Sequence, residues 1–327
     1  MNTSSPSHPN QRPFASPTNG SSKPAAAASN SIAVMICPIC TNKTSCLLCN
    51  VGEYPIWRCA ACASDFVWPM PNEQKLEQYY HHESYFEGAV SGGYENYDQQ
   101  TKQVLPLFAK VLTRIEKRLA PSRSILDVGC AYGTHLATAA QRGWACYGVE
   151  VSDHARAIAK RRHGHSMYIV GQIDQLPPAA RFDVILLLDV LEHLKDPYAL
   201  FTSLLKIGAI GDETTIVVTT PNARSADAVG NPRSWAYRHP PSHLVYYSAE
   251  SLRILFSRLG FADVQTIGIY ESVNEAAHYY DDEPFKTNRR WVSHAGLLCH
   301  IRRKKPLLQL WTSFLKASSW FKFLPIL

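Results

Sequence analysis

The feature that most limits how this chain can fold is an alternation of short apolar runs with helical stretches between residues 124 and 259. SILDVG, ACYGVE, MYIV, FDVILLLDV and TTIVVTT have strand length. Helical patterns fall between and after them, near 134–142, 152–163, 197–207 and 248–259. Strands joined through helices must run side by side in one direction, so the alternation predicts an α/β fold built on a doubly wound, mostly parallel sheet. ADVQTIG, after the last of these helices, reads as a late strand.

In such a sheet, ligands sit beyond the carboxyl ends of the strands, above all at the first strand-to-helix turn. Here that turn is ILDVGCAYGT, in which Gly129 and Gly133 let backbone approach a bound molecule and Asp127 stands at the strand end. A dinucleotide fingerprint needs G-x-G-x-x-G to seat a pyrophosphate, whereas this turn is D-x-G-x-x-x-G. An acid beside free backbone N–H groups suits a ligand with an ammonium and a carboxylate but no phosphate. Glu150 closes the second strand, where a carboxylate can accept both hydroxyls of a ribose.

Several blocks in order, ILDVGCAYGTHLATAAQRGWACYGVEVS, FDVILLLDVLEHLKDP, IVVTTPN and HLVYYSAESLRILFSRLGF, together resemble the class I S-adenosylmethionine-dependent methyltransferases. The pattern is similar to the group that holds ubiquinone-type O-methyltransferases and many bacterial glycan-cluster enzymes, and it covers residues 122–268. The resemblance implies a Rossmann-like, seven-stranded sheet. It also implies an S-adenosylmethionine site at Asp127, Gly129, Ala131, Gly133, Glu150, Gln172 and Asp189. Ala131 stands where the family often has a third glycine. Gln172, in VGQIDQLP, stands where many members place an aspartate against the adenine, whose edge an amide can also meet.

In DVLEHLKDP, Asp189, Glu192 and His193 are spaced so that one helical turn puts them on one face at the ligand edge. Histidine ionises near working pH and is the natural base for taking the proton of an attacking hydroxyl, which makes His193 the expected catalytic base, with Glu192 and His243 beside it. A second reading comes from the resemblance to relatives that carry E-x-x-E-H and puts a divalent ion, Mg²⁺ or a transition metal, on Asp189, Glu192 and His193, with His243 as a further ligand. A third reading has Glu192 and His193 only capping the turn. His239 and His243, with Trp235, Tyr237 and Tyr246, lie in a connection that often lines the acceptor site of this fold. These aromatic side chains can stack on a sugar or ring.

Upstream, Cys37-x-x-Cys40 and Cys59-x-x-Cys62 form two knuckles separated by residues 41–58, a spacing that closes a tetrahedral thiolate site for a structural Zn²⁺. Cys46-x-x-Cys49 between them competes, but CPIC and RCAAC look more like knuckles, so the outer pairs are the expected ligands. Ribbon and tyrosine-rich connector together also resemble sugar-modifying enzymes, among them C-methyltransferases of nucleotide-linked keto sugars.

Domain limits follow: a low-complexity leader over 1–31, a zinc ribbon over 32–70, a connector with one helix over 71–120, the methyltransferase domain over 121–285, and a basic amphipathic tail over 286–327. The formal charge is +6, but the nine Lys and Arg from Lys286 onward face no acid, which leaves 6 − 9 = −3 for the rest. The body is therefore no nucleic-acid footprint, and a cationic tail bearing Trp and Phe suits peripheral contact with the inner face of a membrane. No signal peptide is visible and no apolar run nears the ~18 residues of a span, so the expected location is cytoplasmic. The expected function is methyl transfer to a hydroxyl of a glycan or small molecule. Carbon methylation, a nicotinamide oxidoreductase and a non-catalytic RNA-binding ribbon protein are the alternatives.

Overall fold

The structure, a computed structural model, describes residues 34–80, 86, 96–117, 123–272, 275–279 and 295–303. The expected leader and the tail beyond 303 lie outside the described residues, so the membrane-contact helix does too. No helix among the described residues is long and apolar enough to cross a membrane.

The alternation seen in the sequence appears as strands β4 (Ser124–Val128), β5 (Ala145–Val149), β6 (Tyr168–Val170), β7 (Val184–Leu188) and β8 (Thr215–Pro221). Helices α3 (Thr134–Ala140), α4 (Asp153–His163) and α5 (Pro197–Lys206) lie between them. Ser152 caps α4, and Asp196, followed by Pro197, caps α5 through the N–H groups of Tyr198 and Ala199. β6-β5-β4-β7-β8 pair in parallel, and the order reverses between β4 and β7, the switch point at which a doubly wound sheet opens a crevice. β4 and β7 are almost wholly buried, as strands covered on both faces must be.

The sheet has eight strands where seven were expected. β10 (Phe261–Ser272) follows helix α7 (Ala249–Arg258), and the additional strand β11 (Glu275–Tyr279) pairs antiparallel with it. β12 (Ala295–Arg303) slots antiparallel between β10 and β8. The boundary drawn at 285 therefore cuts through the sheet. AGLLCHIR is an apolar strand run that its basic neighbours had drawn into the tail.

The cysteine segment forms a second sheet: β1 (Ser45–Val51), β2 (Tyr54–Cys59) and β3 (Asp65–Val67), all antiparallel, with β9 (Val245–Tyr246) added on the far edge of β3. β9 comes from the long connection after β8, so the ribbon shares a sheet with it. Cys37, Ile39, Ile56, Cys59, Cys62 and Phe66 belong to the same buried cluster as Leu126, Ile185, Leu252 and Phe256. Tyr198 of α5 donates to the carbonyl of Ile39 between the first two cysteines, and Arg258 of α7 reaches the same carbonyl at 3.2 Å.

Candidate active site

The turn after β4 has backbone that side chains resist. Gly129 (φ +77°) and Gly133 (φ +73°) lie in the left-handed region, and a Cβ would come within 2.8 Å of Val190 Cγ2 at the first and 2.9 Å of Met167 Sδ at the second. Ala131 is left-handed as well, at φ +46°, a conformation that glycine adopts freely and that costs alanine about 1–2 kcal/mol. The expectation of free N–H groups fails. Gly129 and Cys130 donate to the Val149 carbonyl, Gly133 donates to that of Cys130, and Ala131 donates to Glu150 Oε2 at 2.9 Å. At these four positions the turn offers close approach to backbone, not hydrogen-bond donors.

Glu150 holds the turn from below. Its other oxygen accepts the N–H of Ser152 at 2.8 Å, so one buried carboxylate ties the glycine turn to the start of α4. Burial raises its pKa although these N–H groups oppose the shift. Asp127 is buried, and no donor among the described residues hydrogen-bonds its carboxylate. Its pKa rises to about 8, chiefly through desolvation and then through the Glu150 charge. Two buried acids facing one another are what an ammonium-bearing ligand would complement. With the two clash-limited glycines, this donor set fits the aminoacyl and ribose groups of S-adenosylmethionine. Gln172 is exposed and opens a short 3₁₀ turn, Ile173–Gln175; Gln175 Oε1 accepts the N–H groups of Gly171 and Gln172.

A cover that sequence reasoning missed lies over this turn. Phe86, Tyr97 and Tyr132 form a ring cluster with centroids 4.7–5.8 Å apart. Tyr97 opens helix α2 (Tyr97–Glu116) and lies close enough to Asp127 and Glu150 for their charges to help burial raise its pKa. Arg162 of α4 rests on the Tyr132 ring and grips Asp98 with both Nη atoms, at 2.6 and 2.7 Å. The tyrosine-rich stretch QYYHHESYFEGAVSGGYENYDQQ, which holds Phe86 and Tyr97, was the available signal.

Beyond β7 the chain does not form the α-helical turn that the spacing predicted. Asp189 is left-handed (φ +54°), and a 3₁₀ turn spans Leu191–His193. Asp189 Oδ1 accepts from the Thr219 hydroxyl at 2.9 Å, while Glu192 Oε2 accepts from the Thr220 hydroxyl at 3.0 Å. Thr219 and Thr220 are successive strand residues whose side chains leave opposite faces, so the two carboxyls diverge. Glu192 is instead grouped with His193 and His243, each giving one donor atom within 4.8 Å of the others. The expected Mg²⁺ set of Asp189, Glu192 and His193 is therefore not assembled. Two imidazoles and one buried carboxyl are a poor match for a hard ion that seeks oxygen.

His193 Nδ1 donates to the Ser242 carbonyl at 2.9 Å and the same ring also hydrogen-bonds the Asp189 backbone, while His243 Nδ1 donates to the Tyr237 carbonyl at 2.7 Å, which puts the His243 lone pair on Nε2. The two rings meet edge-on at 4.8 Å, with His239 5.5 Å from His243. Burial brings His193 down to about 4, below the working pH at which its residue type was expected to ionise, and His243 well below its ordinary value, so both are neutral at working pH. Glu192 moves the other way: burial, then the Asp189 charge, raises its pKa well above the carboxylate range, and its Oε1 has no hydrogen-bond partner among the described residues.

The outer cysteine pairs converge. Cys37 and Cys62 sulfurs lie 3.6 Å apart, Cys40 and Cys59 3.4 Å, and all four within 4.8 Å. Tetrahedral Zn–S bonds of about 2.3 Å imply sulfur separations near ~3.8 Å, which these approach. A hydrogen bond with the Cys62 thiol pulls Cys37 down to about 5 against its burial, and Ser64 Oγ lies 3.0 Å from Cys62 Sγ. Cys46 and Cys49 turn away, toward the carbonyls of Arg58 and Pro232.

A family model described as a methyltransferase domain matches residues 98–266, just over half the chain. The tRNA U34 carboxymethyltransferase of Vibrio vulnificus (strain YJ016) is 28% identical over 204 residues, covering 59% of each chain. The ubiquinone biosynthesis O-methyltransferase of Hahella chejuensis is 26% identical over 117 residues, 34% of this chain and 49% of the relative. The chain thus spans only about half to three fifths of these relatives. Among solved structures, 1,6-didemethyltoxoflavin-N1-methyltransferase from Burkholderia thailandensis, with S-adenosylhomocysteine bound, aligns with 14% identity and a TM-score of 0.48, over 79% of this chain and 99% of that one. With the family match laid over the switch point, the glycine turn and its two buried acids, the chain belongs to the methyltransferase-domain family, the class I S-adenosylmethionine-dependent methyltransferases.

Proposed function

We propose that this enzyme methylates a hydroxyl of a glycan or other small-molecule acceptor. The observation that carries the reading is the cluster of Glu192, His193 and His243, two imidazoles beside a buried carboxyl just past the end of β7. When bound, S-adenosylmethionine supplies an electrophilic methyl carbon. Asp127 balances the positive charge of the aminoacyl end, Glu150 accepts the ribose hydroxyls, and Gly129, Ala131 and Gly133 allow the close approach, with Gln172 and Asp189 at the rim. His193 takes the proton of the acceptor hydroxyl, the Ser242 carbonyl orients its imidazole through Nδ1–H, and His243 and Glu192 lie beside it. Phe86, Tyr97 and Tyr132 keep water from the donor turn.

Removal of one proton by a placed base is worth about 10²–10⁴-fold. His193→Gln should therefore lower methyl transfer at least 100-fold and leave S-adenosylhomocysteine binding within twofold of the parent. The assay uses methyl-tritiated donor with phenols, glycosides, nucleotide-linked sugars and tRNA as acceptors. Alkali-stable ether label in a phenol or glycoside supports the reading. Label bound to carbon in a keto sugar, label in tRNA, or full activity of the variant would count against it. The four ribbon sulfurs support a structural zinc ion with every ligand from the chain, a closed site with no position left for chemistry.

A further inference from the structure

Asp65, the first residue of β3, is fully buried and serves two arginines. Arg58 on β2 grips it with Nε to Oδ1 at 2.7 Å and Nη2 to Oδ2 at 3.0 Å, and Arg238 Nη2 meets Oδ2 at 2.8 Å. Arg238 belongs to the connection between β8 and β9, and its side chain is as buried as that of Asp65. Its Nε and Nη1 find no hydrogen-bond acceptor among the described residues; the guanidinium lies over the Tyr246 ring at 4.6 Å and the Trp235 ring at 5.4 Å. Arg58 alone would neutralise Asp65. A second guanidinium leaves an excess charge in the interior, which costs several kcal/mol unless its position returns something.

What it returns is a fixed loop. Arg238 lies between Tyr237, whose carbonyl accepts His243 Nδ1 at 2.7 Å, and His239, whose carbonyl accepts the His243 backbone N–H at 3.0 Å. The same loop is tied to β3 by the pairs Asp65–Tyr246 and Phe66–Val245 and by the Val67 N–H on the Leu244 carbonyl. The Leu244 N–H then reaches the Glu192 carbonyl at 2.7 Å. A run of backbone hydrogen bonds thus leads from the ribbon to the Glu192–His193 turn.

We propose that Arg238 is a positioning residue: docked on Asp65 of the ribbon, it fixes the two carbonyls that hold His243 beside His193, so the cysteine ribbon serves as a wall of the acceptor side. The proposal rests on the assignment of the histidine cluster to that side. If the base assignment failed, the His193→Gln activity would show it, whereas the present test reads the geometry of His243 directly.

The test uses the full, zinc-loaded chain with ¹⁵N-labelled histidine and long-range ¹H–¹⁵N spectra recorded across pH. In the parent, His243, which also faces His239 and the Tyr246 ring, should stay a single Nδ1-protonated tautomer at and above pH 6. In Arg238→Met, and separately in Asp65→Asn, it should lose the single tautomer and titrate near the ordinary ~6.5. Zinc content should be unchanged and S-adenosylhomocysteine affinity within twofold. An unchanged His243 spectrum in either variant that still binds S-adenosylhomocysteine would overturn the proposal. Loss of that binding in both would overturn it too, because the role assigned is confined to the acceptor side.

Discussion

If the four ribbon sulfurs take up zinc as proposed, replacing Cys59 by serine is expected to lower zinc uptake to under a tenth of an equivalent and the unfolding midpoint by roughly 10 °C. Cys59 is buried, pairs with Cys40 at 3.4 Å, and is itself the last residue of β2. Without the ion, three thiols and a serine are left in a cluster that also packs Ile39, Ile56 and Phe66 against the methyltransferase core. Loss of a structural metal belongs to the mechanisms that cost ~4 kcal/mol or more. At about 2–4 °C per kcal/mol for a domain of 150–250 residues, that gives the stated shift. Elemental analysis and a thermal melt check it. Cys46→Ser is the matched control, since its sulfur points to the Arg58 carbonyl and not into the cluster; it should keep both zinc and midpoint. Zinc loss in the control with retention in Cys59→Ser would refute the outer-pair assignment.

Glu150→Ala should weaken S-adenosylhomocysteine binding by about 100-fold or more. Each hydrogen bond from a ribose hydroxyl to a charged group is worth ~1.5–3 kcal/mol, and each 1.4 kcal/mol is tenfold. The truncation also releases the Ala131 and Ser152 N–H groups, and with them the left-handed turn. Glu150→Gln, which keeps the volume and one acceptor oxygen, should lie between the two. Calorimetric titration measures all three, and a variant within threefold of the parent would remove Glu150 from the donor site.

The parallel half of the fold was legible because strand and helix periods differ and because glycine at 129 and 133 answers a backbone need that the structure confirms as positive φ. The outer cysteine pairs were legible for a similar reason: a metal knuckle is a local spacing. What sequence spacing could not supply was direction. Asp189, Glu192 and His193 look like one helical face, yet adjacent threonines on β8 send the two acids apart, and nothing in DVLEHL announces those threonines. His243 reaches His193 through a loop whose course depends on β9 pairing with a ribbon strand that precedes it in sequence by about 180 residues, 245 − 65. β12 was hidden by composition, because Arg302 and Arg303 close an apolar strand and open the basic run.

The central claim is that the turn at 129–133, with Asp127 and Glu150, is a site for the S-adenosylmethionine family of ligands. It is tested most directly by titrating the zinc-loaded chain with S-adenosylhomocysteine, and separately with NAD, at pH 6.5 and pH 8. Asp127 ionises near 8 in the free protein, and a bound ammonium lowers that value, so binding must expel a proton below pH 8 and tighten as the pH rises toward it. The predicted result is one equivalent of S-adenosylhomocysteine bound, about tenfold or more tighter at pH 8, and no binding of NAD. A folded, zinc-loaded protein that binds neither compound, or binds NAD as well as S-adenosylhomocysteine, would contradict it.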